Sequence, residues 1–238
     1  MMTRLPLGVI LLSGSLFAQE FEAASIKPSN PSRSIDVVIS PGGRLTATNC
    51  TLQLLIQQAY NIDRYQLAGG PAWITDERYD VVATARPSSS AEQRVMLQNL
   101  LADRFRLKIR REVKEGTVYA LVGTGQVKLS PTKNPDARPL LSSGFTGDHD
   151  SPAVSYYLQG QNVSMPLFAT KLSGFVHHPV TDETKITGSF DFRFDYAEGN
   201  DSMFLFAAIQ KELGLRLEPR KGPVEMVVIE HAEKPSAN

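Results

Sequence analysis

The chain has 238 residues, 42% of them apolar and 21% charged, which is enough to build a packed core and excludes global disorder. Lysine plus arginine and aspartate plus glutamate both number 25, so no bulk charge recruits nucleic acid or an anionic membrane. One cysteine, Cys50, leaves no intrachain disulfide and no thiolate metal cage.

The N-terminus reads as an export signal. Arg4 is its positive region, Leu5 to Leu12 its apolar core, and Ala18 the residue before the expected cut. The apolar run is too short for a permanent anchor. No later run of about 20 apolar residues predicts a transmembrane helix. Residues 1–18 are therefore expected as signal peptide, 19–130 as a first α+β unit, 131–153 as a linker and 154–238 as a second unit. The expected location is the periplasm or the outside of the cell.

In chain order, short strands are predicted near 20–27, 35–40 and 44–48, the last two joined by the turn Pro41-Gly42-Gly43. Thr51 caps a helix whose Leu52, Leu55, Ile56, Ala59 and Tyr60 share one face. A short strand at 65–68 and the turn Gly69-Gly70-Pro71 precede Trp73. Tyr79–Ala83 reads as a strand, and 91–103 as a helix burying Leu97, Leu100 and Leu101. From Arg104 the pattern alternates, with Phe105, Leu107 and Ile109 inward and Arg104, Arg106, Lys108 and Arg110 outward. Glu115-Gly116 predicts a hairpin turn into 117–122. The linker is rich in proline, serine and glycine and contains Asp148-His149-Asp150.

The second unit begins with a strand at 155–159. Ser164 caps a helix carrying Pro166 in its first turn, and Gly174 is expected to end it. The segment Phe190–Tyr196 has a strict period of two: Phe190, Phe192, Phe194 and Tyr196 face the core, and Asp191, Arg193 and Asp195 face water. A helix at 202–212, a strand at 213–217, a turn at Lys221-Gly222-Pro223 and a strand at 225–231 complete it.

The two units align element by element. Asn49-Cys50-Thr51 matches Asn162-Val163-Ser164, Tyr79-Asp80-Val81 matches Phe190-Asp191-Phe192, and Phe105-Arg106-Leu107 matches Leu213-Gly214-Leu215. The expected fold is α+β, two repeated β-α-β-β-α-β-β-like units with helices packed on one face of antiparallel sheets.

Few residues point to chemistry. Arg104, Arg106, Lys108, Arg110 and Arg111 form a basic row, readable as a surface for an acidic partner or as a charged face guarding a sheet edge. Trp73 suits ring stacking or core closure. His177, His178 and Asp182 make a polar cluster without standard metal-ligand spacing. Cys50 reads as a small buried hydrophobe, and Asn49 and Asn162 as parts of helix entries rather than glycosylation acceptors. There is no nucleophile elbow, zinc-protease helix, phosphate loop or dinucleotide fingerprint. No catalytic residue, metal or cofactor is expected.

A wider set of motifs carries a resemblance: Phe21–Ser29, Gly69-Gly-Pro-Ala-Trp73, Arg78-Tyr-Asp-Val81, Leu100–Leu107, Gly188–Phe192 and the ending Val228–Asn238. In these the chain resembles uncharacterised, soil-associated exported proteins abundant in acidobacteria. Some of those relatives look like extracytoplasmic parts of membrane sensors of the peptidase type. The helix–strand order is more distantly similar to the short N-terminal domain of secretins and TonB-dependent receptors. The resemblance implies a place and a style of function, not a mechanism; with no catalytic motif present, the leading expectation is an exported, non-enzymatic module that recognises a protein or peptide. Its alternatives are a hydrolase centred on His177, His178 and Asp182, and a ligand-sensing domain coupled to a membrane peptidase or sensor.

Overall fold

The computed structural model describes residues 20–30, 34–40, 42–146, 155–197 and 203–235. The expected signal and Asp148-His149-Asp150 lie outside them. The fold is mixed α+β. Strands β1 (Ala23–Pro28), β2 (Asp36–Ser40) and β3 (Arg44–Thr51) precede helix α1 (Leu52–Tyr60). After β4 (Leu67–Gly69) and the single turn α2 (Trp73–Asp76) come β5 (Arg78–Thr84), α3 (Ser90–Arg104) and β6 (Lys108–Gly123). The second half runs β7 (Ser130–Pro131), β8 (Leu140–Thr146), β9 (Ser155–Ser164), α4 (Met165–Val176), β10 (Val180–Asp182), β11 (Ser189–Ala197), α5 (Met203–Ala208) and β12 (Leu215–His231).

Apart from α2, both halves therefore read β-β-β-α-β-β-α-β, in place of the expected β-α-β-β-α-β-β. The sheet orders also correspond. One sheet is β1-β5-β3-β2, another β7-β11-β9-β8, and both are antiparallel throughout. The third is β10-β6-β12-β4. It is mixed, since β10 lies parallel to β6 and β4 parallel to β12, so not every sheet is antiparallel as expected.

Compactness divides the chain elsewhere than at residues 131–153. One unit takes residues up to Tyr60, Ala72–Arg106 and those from Glu233; the other takes Asn61–Pro71 and Leu107–Ala232. The stretch expected as linker contributes β7 and β8 to the second unit. Among its described residues, Pro135 and Pro139 lie between β7 and β8, and Gly144 lies within β8.

In the first unit the buried set of α1 is Leu52, Leu55, Ile56 and Ala59; α1 lies against α3, whose Leu97 and Leu101 are buried, and Val81 of β5 is buried as well. A capping box starts α3: Ser89 Oγ accepts from Glu92 N–H, and Glu92 reaches back to Ser89 N–H. The β2–β3 turn needs glycine at Gly43, whose φ is +84° and whose added Cβ would lie 2.2 Å from the Ala85 carbonyl oxygen. In the second unit Phe168, Leu172, Phe194 and Ile209 lie in one buried cluster with Leu121 and Leu215. Helix α4 runs through Gly174 and ends at His177, which takes the left-handed conformation. Helix α5 continues as a π-helical turn, Ile209–Leu213, closed by left-handed Gly214.

The expected turns at Glu115-Gly116 and Lys221-Gly222-Pro223 are not turns. β6 and β12 run straight through them, and Gly116 pairs with Gly222. A Cβ at Gly116 would approach Val224 to 3.0 Å, and one at Gly222 would approach Val118 equally closely. These glycines make room for valines across a long two-strand ladder. The expected strand at Arg104 also starts later, because α3 extends through Arg104 and Arg106 is left-handed, with φ +49°.

A shared device sits where each first helix begins. Asn49 (φ +54°) and Asn162 (φ +53°) are both left-handed beside bulges in the ladder. The Asn49 N–H donates to Asp80 Oδ1 at 2.9 Å, and the Asn162 N–H to Asp191 Oδ1 at 2.8 Å. Two residues on, Thr51 and Ser164 hydroxyls accept from Leu54 and Leu167 N–H at 3.2 and 3.5 Å. The alternation predicts that Asp191 faces water, and Asp80 holds the matching position in the first half. Both are half-buried and hold the bulges shut.

Two outcomes follow for measurement. In denaturant melts Phe194→Ala should cost about 3–5 kcal/mol, and Phe192→Ala less because its ring is half-exposed. Arg193→Ala should cost within about 1 kcal/mol; equality with Phe194→Ala would refute the assigned faces. Asp80→Ala should cost about 1–3 kcal/mol by stranding the Asn49 N–H. The second outcome concerns pH. The backbone N–H groups of Asn162 and Lys133 hold the Asp191 carboxyl below its usual range. A carboxyl depressed in the folded state stabilises above its unfolded value, and that contribution disappears as pH falls through the folded value. Acid should thus loosen the second unit below the ordinary aspartate range, and Asp191→Asn should flatten that dependence in a pH series of melts.

Candidate functional site

The basic row does not form one strand face. Arg104 is the last residue of α3, with its guanidinium 3.5 Å from Asp103 and 3.4 Å from the Ala24 carbonyl. Arg106 follows in a left-handed bend, and Lys108 opens β6. Arg110 pairs with Glu112 and, at 3.3 Å, with Glu230. Arg111 is exposed beside a cleft of about 190 Å³ lined also by Gln66, Val113 and Met226. Arg104 and Arg106 belong to the first compact unit and Lys108, Arg110 and Arg111 to the second. The alternation that suggested one charged face arose from a helix end, a bend and a strand start placed in succession.

Trp73 packs on one face within the fold. It is half-buried and stacks on Phe105 at 6.4 Å, while Tyr79 meets Phe105 edge-on at 5.3 Å. Cys50 is fully buried, and burial pushes its thiol pKa up; Sγ lies 3.2 Å from the Thr48 carbonyl and 3.3 Å from that of Asp36. Asn49 and Asn162 are buried too. The Asn162 side chain donates to the carbonyls of Pro135 and Ala137.

The polar cluster separates into three structural tasks. His177 closes α4. The His178 ring lies 5.6 Å from Tyr119 and 6.3 Å from Tyr65. Asp182 accepts from the Thr184 N–H at 2.9 Å and from its hydroxyl at 2.7 Å, a local turn that steers the chain toward β11. Among the described residues no group of three or more His, Cys, Asp or Glu side chains comes together.

An open cleft of about 540 Å³ lies on the outer face of the β7-β11-β9-β8 sheet, bordered by Lys133, Asn134, Gln159, Phe192 and Arg193. Several of its polar groups already have partners. Arg193 donates to Gln159 at 3.1 Å and covers the Tyr157 ring at 4.2 Å, and Asp191 is held by Asn162 and Lys133. These contacts include no nucleophile paired with a base, the arrangement acyl or phosphoryl transfer would need.

Among the described residues the three sheets end on β1, β2, β4, β7, β8 and β10. Most edges are short or guarded: β4 and β10 have three residues, β7 has two, β1 carries Lys27 and Pro28, and β2 carries Asp36. β8 differs. It has seven residues, Leu-Leu-Ser-Ser-Gly-Phe-Thr, without charge or proline, and among the described residues it pairs with β9 alone. Leu140 is 53% and Phe145 49% exposed. The segment falls within the expected linker because its serines and glycine mask a weak period of two. Its uncharged run next to Pro139 was the usable signal.

Left-handed His177 offers a direct check on the histidine cluster. His177→Gly removes the Cβ penalty and should raise stability by roughly 0.5–1 kcal/mol, with no response to added zinc. A zinc-dependent rise in Tm, lost in that variant, would refute the capping role.

A family model described as a protein of unknown function (DUF3738) matches residues 53–232. No curated protein and no solved structure matches the chain. The match takes in most of both halves, including α1, β5, β11 and the β6–β12 ladder, and on it the chain belongs to the DUF3738 family.

Proposed function

We propose that this chain is an exported, non-enzymatic interaction module, built by duplication of one α+β half, that takes up an extended protein or peptide segment by strand addition. The observation that carries this reading is the β8 edge: long, uncharged and apolar in a molecule whose other edges are short or guarded. An added strand satisfies the outward N–H and C=O groups of β8 and covers Leu140 and Phe145, which reward binding without any catalytic group. The duplication is supported by the matching sheet orders, the paired Asn–Asp bulges and the corresponding helix caps. No helix of the described residues is long and apolar enough to cross a membrane. Export rests on Arg4, the Leu5–Leu12 run and Ala18. Kinship with the soil-associated exported proteins of acidobacteria, and the distant likeness to the short domain of secretins and TonB-dependent receptors, belong to the same proposal. They favour a partner met in the cell envelope or outside it.

Random peptides displayed on phage and selected on the mature protein should yield binders that slow hydrogen exchange of the Leu140–Thr146 amides. Leu140→Lys should weaken them at least tenfold, since a charge on an edge opposes strand addition. Binders that leave those amides unprotected would move recognition elsewhere. N-terminal sequencing of the exported protein should begin after Ala18; full-length protein retained in the cytosol would refute export.

A further inference from the structure

The β8 edge is not only open but self-complementary. We infer that its occupant is the β8 strand of a second copy of this chain, joined antiparallel about a two-fold axis at Ser143. This inference rests on the strand-addition reading and names its partner.

The register follows from the faces. In the ladder with β9, Leu141 sits opposite Gly160, Ser143 opposite Leu158 and Phe145 opposite Tyr156, so Leu141, Ser143 and Phe145 share the core-side face. Leu141 already packs against the second unit's core. Placing Ser143 opposite its own counterpart sets Leu141 against Phe145 of the second copy, twice by symmetry. On the other face it sets Leu140 against Thr146. Phe145 is thus covered by an apolar partner, and Leu140 lies against the Thr146 side chain, so both exposed large side chains of the strand gain a neighbour. No like charges meet, because the strand has none. A one-residue slip would turn Phe145 from the core-side face toward the polar one, so the pattern favours this register.

The other long edges lack this property. Antiparallel self-pairing of β2 centred on Val38 would set Asp36 against Ser40 and leave Ile35 outside the ladder, and self-pairing of β1 would bury Pro28, which has no N–H to give. Seven residues of strand span about 20 Å, so the contact is small and the dimer concentration-dependent rather than obligate. Joining two four-stranded sheets gives one continuous eight-stranded sheet and ends the exposure of both edges.

The test is sedimentation of the mature protein over a range of concentrations. The expected result is a monomer–dimer equilibrium that Ser143→Lys abolishes, by placing two ammonium groups at the axis, while its circular dichroism spectrum stays native. Val38→Lys on β2 should leave the equilibrium unchanged. Ser143→Cys supplies an independent reading: under mild oxidation it should form a covalent dimer, whereas Val38→Cys should not, and Cys50 is buried away from the reaction. A dimer that survives Ser143→Lys, or a Ser143→Cys protein that stays monomeric on oxidation, would overturn the β8 interface. A protein that remains monomeric at every concentration while displayed peptides still protect the Leu140–Thr146 amides would overturn the second copy and keep strand addition. A monomer whose β8 amides no peptide protects would overturn both.

Discussion

The β6–β12 ladder is the constraint on which the second unit depends. Sixteen residues of one strand and seventeen of the other pair from Leu215 with Gly123 to His231 with Lys108. Neither strand closes locally; each needs a partner from the other half of the sequence, so the entropy of bringing distant segments together is met by one long, cooperative set of hydrogen bonds. The ladder then organises its flanks. Val180–Asp182 of β10 adds parallel to Tyr119–Leu121 of β6, and Leu67–Gly69 of β4 adds parallel to Val227–Ile229 of β12. The offset between Tyr119 and Val227 equals that between Phe105 and Leu213, so the two additions occupy corresponding positions of the two halves. Each short strand comes from one half and pairs with the long strand of the other. Such an exchange cannot form in a half folded by itself.

The Asn–Asp bulges are the second recurring element, and they show how a polar side chain specifies a fold without taking part in chemistry. A left-handed asparagine costs backbone strain, which the short amide side chain tolerates better than most. A carboxylate on the neighbouring strand takes up the freed N–H, and a hydroxyl two residues on receives the first free N–H of the helix. The strand is thereby redirected into a helix within three residues. Asp80 and Asp191, which resemble surface carboxylates in a strand pattern, are in fact the groups that make the turn from strand to helix possible.

The aromatic and ionisable residues that attract attention are spent on structure: Trp73 on Phe105, His177 on a helix end, Asp182 on a turn, Arg193 on Gln159 and Tyr157. On the proposed strand-addition reading, the surface offered to a partner is the β8 edge, which among the described residues pairs with β9 alone. Strand addition asks for main-chain groups on an edge and apolar side chains to cover, and it calls for no catalytic group.

The sequence by itself determined the local elements whose pattern is strong and whose partners are near. The face of α1, the capping box of α3, the hairpin turn at Gly43, the Ser164 cap and the Phe190–Tyr196 alternation were all legible, because periodicity, capping and turn chemistry act within a few residues. The correspondence of Asn49 with Asn162 and of Asp80 with Asp191 was also legible as a match, though not its meaning. Tertiary structure alone decided the rest. Gly116 and Gly222 read as turn residues, yet they face each other inside a ladder, because pairing over sixteen residues outweighs the local preference of one glycine. Arg104 and Arg106 fit a strand period, yet one ends a helix and the other bends left-handed. β8 has too weak a period to announce itself, and only β9 beside it makes it a strand. Whether an edge is covered or open depends on which distant segment arrives to pair with it, and no local pattern encodes that.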